Sequence, residues 1–221
     1  MNARASLATT ELAGLERFKR AASVTSADLL LFVATAMALV LLLMQTPRLR
    51  VVDWFYVLQH TTILVMALTR PAPVVTDYTA RTSVAVALTY FYPYALVLCL
   101  RRLPTATLWP AGGLFLVTLA AVFSVVCLLA IGTRFGIRPA LRGLVTSGPY
   151  RCVRHPLYLS YLVADIGYNL QLSNPTALAL LALTWTAMTW RIQAEERVLS
   201  SHPGWSDYKA KVSYRLIPAI W

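Results

Sequence analysis

Four stretches of the chain stay apolar for about the length that crosses a bilayer, and each is closed off by polar or charged residues. They cover residues 28–45, 51–69, 83–100 and 108–131. A helix rises about 1.5 Å per residue, so roughly 20 apolar residues reach across a hydrocarbon core about 30 Å thick. Each stretch is therefore predicted to be a membrane helix. Ser26 or Asp28 can cap the first. Pro110 sits in the first turn of the fourth, where its missing donor is tolerated. Trp54, Phe55, Tyr56 and Trp109 stand where aromatic rings collect at membrane boundaries. Pro93, inside Tyr90-Phe91-Tyr92-Pro93-Tyr94, predicts a kink in the third helix.

Two later runs, 156–172 and 175–190, mix apolar with polar positions. The connection Leu172-Ser173-Asn174-Pro175 supplies a cap and a first-turn proline, so the pair is predicted to form a helical hairpin. The expected fold is all-α: a polytopic transmembrane bundle of about six membrane helices. Residues 1–131 form its N-terminal tail and first four helices. Residues 132–221 hold a loop, the hairpin and a polar C-terminal tail. No repeat, low-complexity tract or separate soluble domain is visible.

Composition sharpens this picture. The chain is 58% hydrophobic and 13% charged, with a mean hydropathy of +0.61. A soluble domain is nearer 45–50% apolar and about 25% charged. The net charge of +11 would suggest nucleic acid if the basic residues were scattered. They are not. With the N-terminus inside, 16 of the 20 Lys and Arg fall in segments facing the cytosol and 4 face the other side. Cytosolic loops collect such residues, so a multi-pass protein with both termini in the cytosol is expected, with no nucleic-acid partner. Residues 1–26 lack the apolar core of a signal peptide. Cys99, Cys127 and Cys152 are too far apart for a ligand-spaced pair; no metal site and no disulfide framework is expected.

Carboxylates are scarce, nine in all. Asp165 lies within the fifth predicted helix and shares a broad polar face with Tyr158, Tyr161, Tyr168 and Asn169. A charge at mid-bilayer costs about 2.5–3.5 kcal/mol, so this face should look into the bundle, toward either a helix–helix hydrogen bond or a pocket. Arg191 and Glu195 are four apart on one helical face and can pair, most simply at the surface. Glu195 and Glu196 diverge by about 100° and so do not form an acid–base pair. His60 in the second helix reads more simply as an interhelical hydrogen-bond partner than as a contact for a ligand.

The densest polar segment is Leu144-Val145-Thr146-Ser147-Gly148-Pro149-Tyr150-Arg151-Cys152-Val153-Arg154-His155-Pro156-Leu157-Tyr158. Ser-Gly-Pro turns the chain, and aromatic and basic residues then crowd the cytosolic start of a membrane helix. The pattern Thr146-Ser147-Gly148-x-Tyr150-x-x-x-Arg154-His155-Pro156-x-Tyr158, followed by Arg191-x-x-x-Glu195-Glu196-x-x-Leu199, resembles the isoprenylcysteine carboxyl methyltransferase family and its phospholipid N-methyltransferase relatives. Pro203-Gly204-Trp205-x-x-Tyr208 and Arg215-x-x-Pro218 resemble the family's tail, so the likeness covers about residues 142–218. Ser160 stands where many relatives carry glycine, and Trp205 departs from the common residue.

That resemblance implies an S-adenosyl-L-methionine-dependent methyltransferase acting on a lipophilic acceptor, with a carboxylate favoured. It implies a cytosolic cofactor pocket formed by the loop, the hairpin and the tail. Leu144, Val145, Tyr150, His155, Pro156, Leu157, Tyr158 and Glu195 would contact the cofactor. Arg191 matches an arginine that holds the acceptor, and His155 is the available base. Aromatic rings suit a sulfonium, and a carboxylate accepts hydrogen bonds from ribose hydroxyls or an amino group. Two rival readings stand beside it: an NADPH-dependent membrane reductase of the sterol-reductase type, and a non-catalytic membrane subunit.

Overall fold

The computed structural model describes residues 33, 36, 40, 61–63, 65, 66, 69–102, 106–171 and 173–221, with the backbone alone over 93–102. Among the described residues there are four long helices: α1 Ala80–Arg102, α2 Pro110–Ile131, α3 Pro156–Gln171 and α4 Pro175–Leu199. A short helix, α5 Trp205–Lys211, follows. The expected spans 83–100 and 108–131 thus appear as helices. The span 28–45, apart from helical residues 33, 36 and 40, lies outside the described residues, as do most of 51–69, Trp54, Phe55, Tyr56 and His60.

Membrane character is plainest in α2. Pro110–Arg134 has a mean hydropathy of 2.9 and is, among the described residues, the one helix long and apolar enough to cross a membrane by itself. Phe115, Leu119, Val122, Val126 and Leu129 lie exposed along it. Such an apolar stripe is unfavourable in water and natural against lipid tails. The other long helices carry more polar residues, and α3 and α4 also contribute to the site described below.

Close packing pairs α2 with α3 and α1 with α4. Glycines set the first pair. A Cβ on Gly167 would come within 2.8 Å of the Gly113 carbonyl oxygen, and one on Gly113 within 2.5 Å of the Gly167 oxygen. Backbone against backbone cannot yield as a side chain can. Gly167→Val should therefore push the helices apart and lower stability by about 1–3 kcal/mol. An unchanged unfolding midpoint in detergent would contradict this packing.

α3 and α4 do follow each other directly, and the Asn174 side chain caps α4 by accepting from Ala177 N at 2.8 Å. Asn174→Ala should therefore cost about 1 kcal/mol, readable as a lowered unfolding midpoint. Yet the two helices meet through large side chains rather than close backbones. Tyr158, Met188 and Ile192 cluster between them, with Tyr161 and Trp185 packed alongside. These bulky groups hold the axes apart, while the small residues of α2 and α3 draw that pair together.

The all-α expectation misses a small element. β1 Val75–Thr76 pairs antiparallel with β2 Ala140–Leu141, with Val75 opposite Leu141 and Thr76 opposite Ala140. Pro71, Pro73 and Pro139 keep these stretches out of helix. The ribbon fastens residues 70–79 to 139–141, two loops that the charge pattern assigns to one side. At the opposite end Ala106 and Ser173 exchange two backbone hydrogen bonds of 2.8 Å.

Candidate functional site

The site lies where α2 ends, α3 begins and α4 ends. After Ile131, Gly132 adopts φ 55° and Gly143 φ 116°, conformations that glycine reaches without a Cβ clash. Between them the chain crosses the mouth of the bundle. Gly148, at φ 58°, then opens a 3₁₀ turn over Gly148–Arg151. His155 and Pro156 lead straight into α3.

The C-terminal tail holds this entry in place. Arg154 N donates to Tyr214 O and His155 N to Arg215 O, each at 2.9 Å. The Tyr208 hydroxyl of α5 donates to Tyr150 O at 2.8 Å. Trp205, Tyr208 and Val212 pack against Leu144 and Leu199.

Glu196 ties these parts together. Its carboxylate accepts from Arg154 Nε at 2.8 Å and lies 2.9 Å from Arg215 Nη2 and 3.4 Å from His155 Nε2. Arg154 also donates Nη1 to Val212 O and Ser213 O, at 2.7 and 2.8 Å. Burial raises the Glu196 carboxyl pKa, but bonds from His155, Arg215 and Arg154 outweigh it and hold the group well below the usual carboxylate range. Glu196 is thus an ionised strut rather than an acid or base.

Glu195, one residue earlier, faces the other way. It lines a cavity that opens to solvent. The Tyr158 hydroxyl donates to Glu195 Oε1. His155 Nδ1 is 3.8 Å from Glu195 Oε2, and the His155 and Tyr158 rings stack at 5.7 Å, 11° from parallel. Tyr150 forms another wall; burial first, then the neighbours Cys127, Tyr161, Glu195 and Tyr208, push its phenol well above the ordinary range. It remains neutral at any physiological pH.

Of the predicted cofactor contacts, Leu144, Val145, Tyr150, His155, Leu157, Tyr158 and Glu195 line this one cavity. Pro156 does not; it is fully buried in the first turn of α3, next to the wall rather than part of it. Arg191 also stands behind the wall. Its pairing with Glu195 is buried rather than at the surface: Nε lies 3.5 Å from Glu195 Oε1, and the guanidinium sits 5.2 Å from the Tyr158 ring centroid. Nη1 donates to Thr89 Oγ1 at 3.2 Å and Nη2 to Ile137 O. Ser160, also buried, donates to Leu157 O at 2.6 Å.

Asp165 lies away from the cavity, and its Oδ2 accepts from Trp185 Nε1 at 2.9 Å. The helix–helix hydrogen bond is therefore the reading its surroundings fit. Sequence reasoning missed the wall supplied by Arg134, Phe135, Arg138, Pro139 and Ala140, which carries no motif. It also missed the Arg154–Glu196–Arg215 cluster. The doubled glutamate was its only trace.

Residues 113–201 match the model of the isoprenylcysteine carboxyl methyltransferase (ICMT) family. Protein-S-isoprenylcysteine O-methyltransferase A of Arabidopsis thaliana is 40% identical over 63 residues, 28% of this chain and 32% of that protein. The corresponding methyltransferase B of the same plant is 37% identical over 62 residues, again 28% and 32%. Nickel-cobalt-cadmium resistance protein NccN of Alcaligenes xylosoxydans xylosoxydans is 36% identical over 98 residues, 43% of this chain and 44% of that protein. The aligned region thus spans about a third of the plant relatives and under half of the bacterial one. The likeness read from Arg154-His155-Pro156-x-Tyr158 and Glu195-Glu196 is borne out: this part of the chain is ICMT-like, with membrane character. Among the described residues no group of three or more His, Cys, Asp and Glu is arranged to hold a metal ion.

Proposed function

We propose that this chain is an integral membrane methyltransferase that takes its methyl group from S-adenosyl-L-methionine and passes it to a lipophilic acceptor. The observation that carries the reading is the convergence of Tyr150, His155, Tyr158 and Glu195 on one cavity within an ICMT-like segment. The donor set fits the cofactor. Tyr150 and Tyr158 bring aromatic rings to the wall, Glu195 accepts from hydroxyl or amino groups, and Leu144, Val145 and Leu157 supply apolar wall. Pro156 serves this pocket by starting α3, not by touching the cofactor.

S-adenosylmethionine, when bound, supplies an electrophilic methyl carbon on a sulfonium. The chain's own residues hold and orient. Glu195, fixed by Tyr158 and Arg191, keeps one face toward the cavity. Arg191, behind the wall, adds positive charge beside Glu195, from which an acceptor carboxylate at the inner end of the site would gain. Such an acceptor needs no base: the acceptor oxygen–carbon bond forms as the carbon–sulfur bond breaks, leaving an ester and a neutral thioether. An acceptor that carries a proton would hand it to His155. Alignment can supply roughly 7–11 kcal/mol of rate enhancement when the geometry is right.

We place both termini and the cavity on the cytosolic side, so that soluble cofactor enters from water and acceptor from the bilayer. The first four helices form the acceptor side of a six-helix bundle, and residues 132–221 the cofactor side. Incubating the purified chain with labelled S-adenosylmethionine and native lipid extract tests the reading. It predicts one labelled lipid species; no transfer to any lipid fraction would count against it.

A further inference from the structure

Arg134, Arg138 and Arg154 all stand in the cavity wall, but their donors are not equally engaged. Arg154 turns to Glu196, Val212 O and Ser213 O. Arg138 donates Nη1 to Ser83 Oγ at 2.9 Å and to Asp77 O at 3.3 Å, and its guanidinium sits 5.1 Å from the Tyr78 ring centroid. Arg134 closes the short 3₁₀ turn after α2. Its side chain forms no hydrogen bond and no ion pair among the described residues. A guanidinium offers five N–H donors and no acceptor, so Arg134 brings uncommitted positive charge to the wall.

The backbone makes room for that charge. Gly143 also lines the cavity, and a Cβ there would lie 2.9 Å from Arg134 Nε and 3.2 Å from its Cδ. Arg134 thus lies across a bare glycine, whose φ of 116° already disfavours any side chain. Arg134 is exposed, whereas Tyr150, His155 and Tyr158 are buried. It therefore stands at the rim where the cavity meets water, with the aromatic rings further in.

A free guanidinium at a rim favours an anionic group, and its planar fork matches a carboxylate through two parallel hydrogen bonds. S-adenosylmethionine carries one such group, the carboxylate of its methionyl end. Its sulfonium and its ammonium are cations, which Arg134 repels. The methionyl end is also the strongly hydrated part of the molecule, suited to a water-facing rim. A lipophilic acceptor arriving from the bilayer is not.

We propose that Arg134 holds the methionyl carboxylate of the cofactor and so sets which end of it faces water. The inference rests on the methyl-donor reading of the cavity and adds to it a residue that no motif marks. Arg134 takes no part in the methyl transfer itself; it selects and orients the ligand.

The test is calorimetric titration of the purified full chain in detergent with S-adenosylhomocysteine and with its decarboxylated analogue, which lacks only the carboxylate. Wild type, Arg134→Gln and Arg134→Lys are compared. The wild type should bind S-adenosylhomocysteine about tenfold more tightly than the analogue, the worth of one charge-assisted contact. In Arg134→Gln that preference should vanish, because S-adenosylhomocysteine weakens while the analogue keeps its affinity and so reports an intact fold. Arg134→Lys should retain part of the preference, having the charge without the fork. No preference in the wild type, a preference that survives Arg134→Gln, or an equal loss of both ligands would overturn the assignment. The last would make Arg134 a part of the cavity's shape alone. A wild type that binds neither ligand would instead strike the methyl-donor reading, and the Arg134 contact with it.

Discussion

Glu196→Ala should be the most damaging single substitution to stability, at about 3–5 kcal/mol. The carboxylate is buried and is contacted by Arg154, Arg215 and His155, which come from the entry to α3 and from the C-terminal tail. Removing it leaves the Arg154 guanidinium buried without its counter-charge. It also frees the tail that presses on Tyr150. Glu196→Gln should fall between wild type and alanine, since it keeps an acceptor and loses the charge. The pH dependence has a fixed sign. The folded-state pKa is depressed, so the contribution is fully present above the ordinary glutamate value of 4.5 and is lost progressively as pH falls below it. Unfolding midpoints of the three proteins at neutral and acid pH check this. A variant as stable as wild type at pH 7 would show that the tail is held by other means.

Glu195→Gln should leave the fold largely intact and weaken cofactor binding. Glu195 is partly exposed in the cavity wall, and its loss leaves Tyr158 and Arg191 with a neutral partner rather than none. Hydrogen bonds to a charged acceptor contribute about 1.5–3 kcal/mol, so S-adenosylhomocysteine should bind roughly 10–150-fold more weakly. His155→Ala should act in the same direction, because it removes a ring stacked on Tyr158. Calorimetric titration of both variants reads the effect. Undiminished affinity in both would remove these residues from the cofactor site.

Much of the helical framework was legible because its signals are local. Apolar length located α2, and Asn174-Pro175 marked the start of α4. The 100° divergence of neighbouring helix positions separated Glu195 from Glu196, and the structure turns one to the cavity and the other to the tail. The likeness to one family gathered seven side chains that line a single cavity. What stayed hidden depends on distance along the chain. Two-residue strands are too short to carry an alternation. Spacing four apart put Arg191 and Glu195 on one face but said nothing about whether that face was inside. The Arg154–Glu196–Arg215 cluster joins residues from three separate segments, which no spacing rule links. Likewise, the short connection that suggested a hairpin carries no sign of the bulky Tyr158, Met188 and Ile192 cluster between α3 and α4.

The most direct test is titration of the purified wild-type protein with S-adenosylhomocysteine and, separately, with NADPH. The cavity lined by Tyr150, His155, Tyr158 and Glu195 should bind the first tightly and the second poorly. Saturable NADPH binding without S-adenosylhomocysteine binding, or binding of neither, would contradict a methyl-donor site.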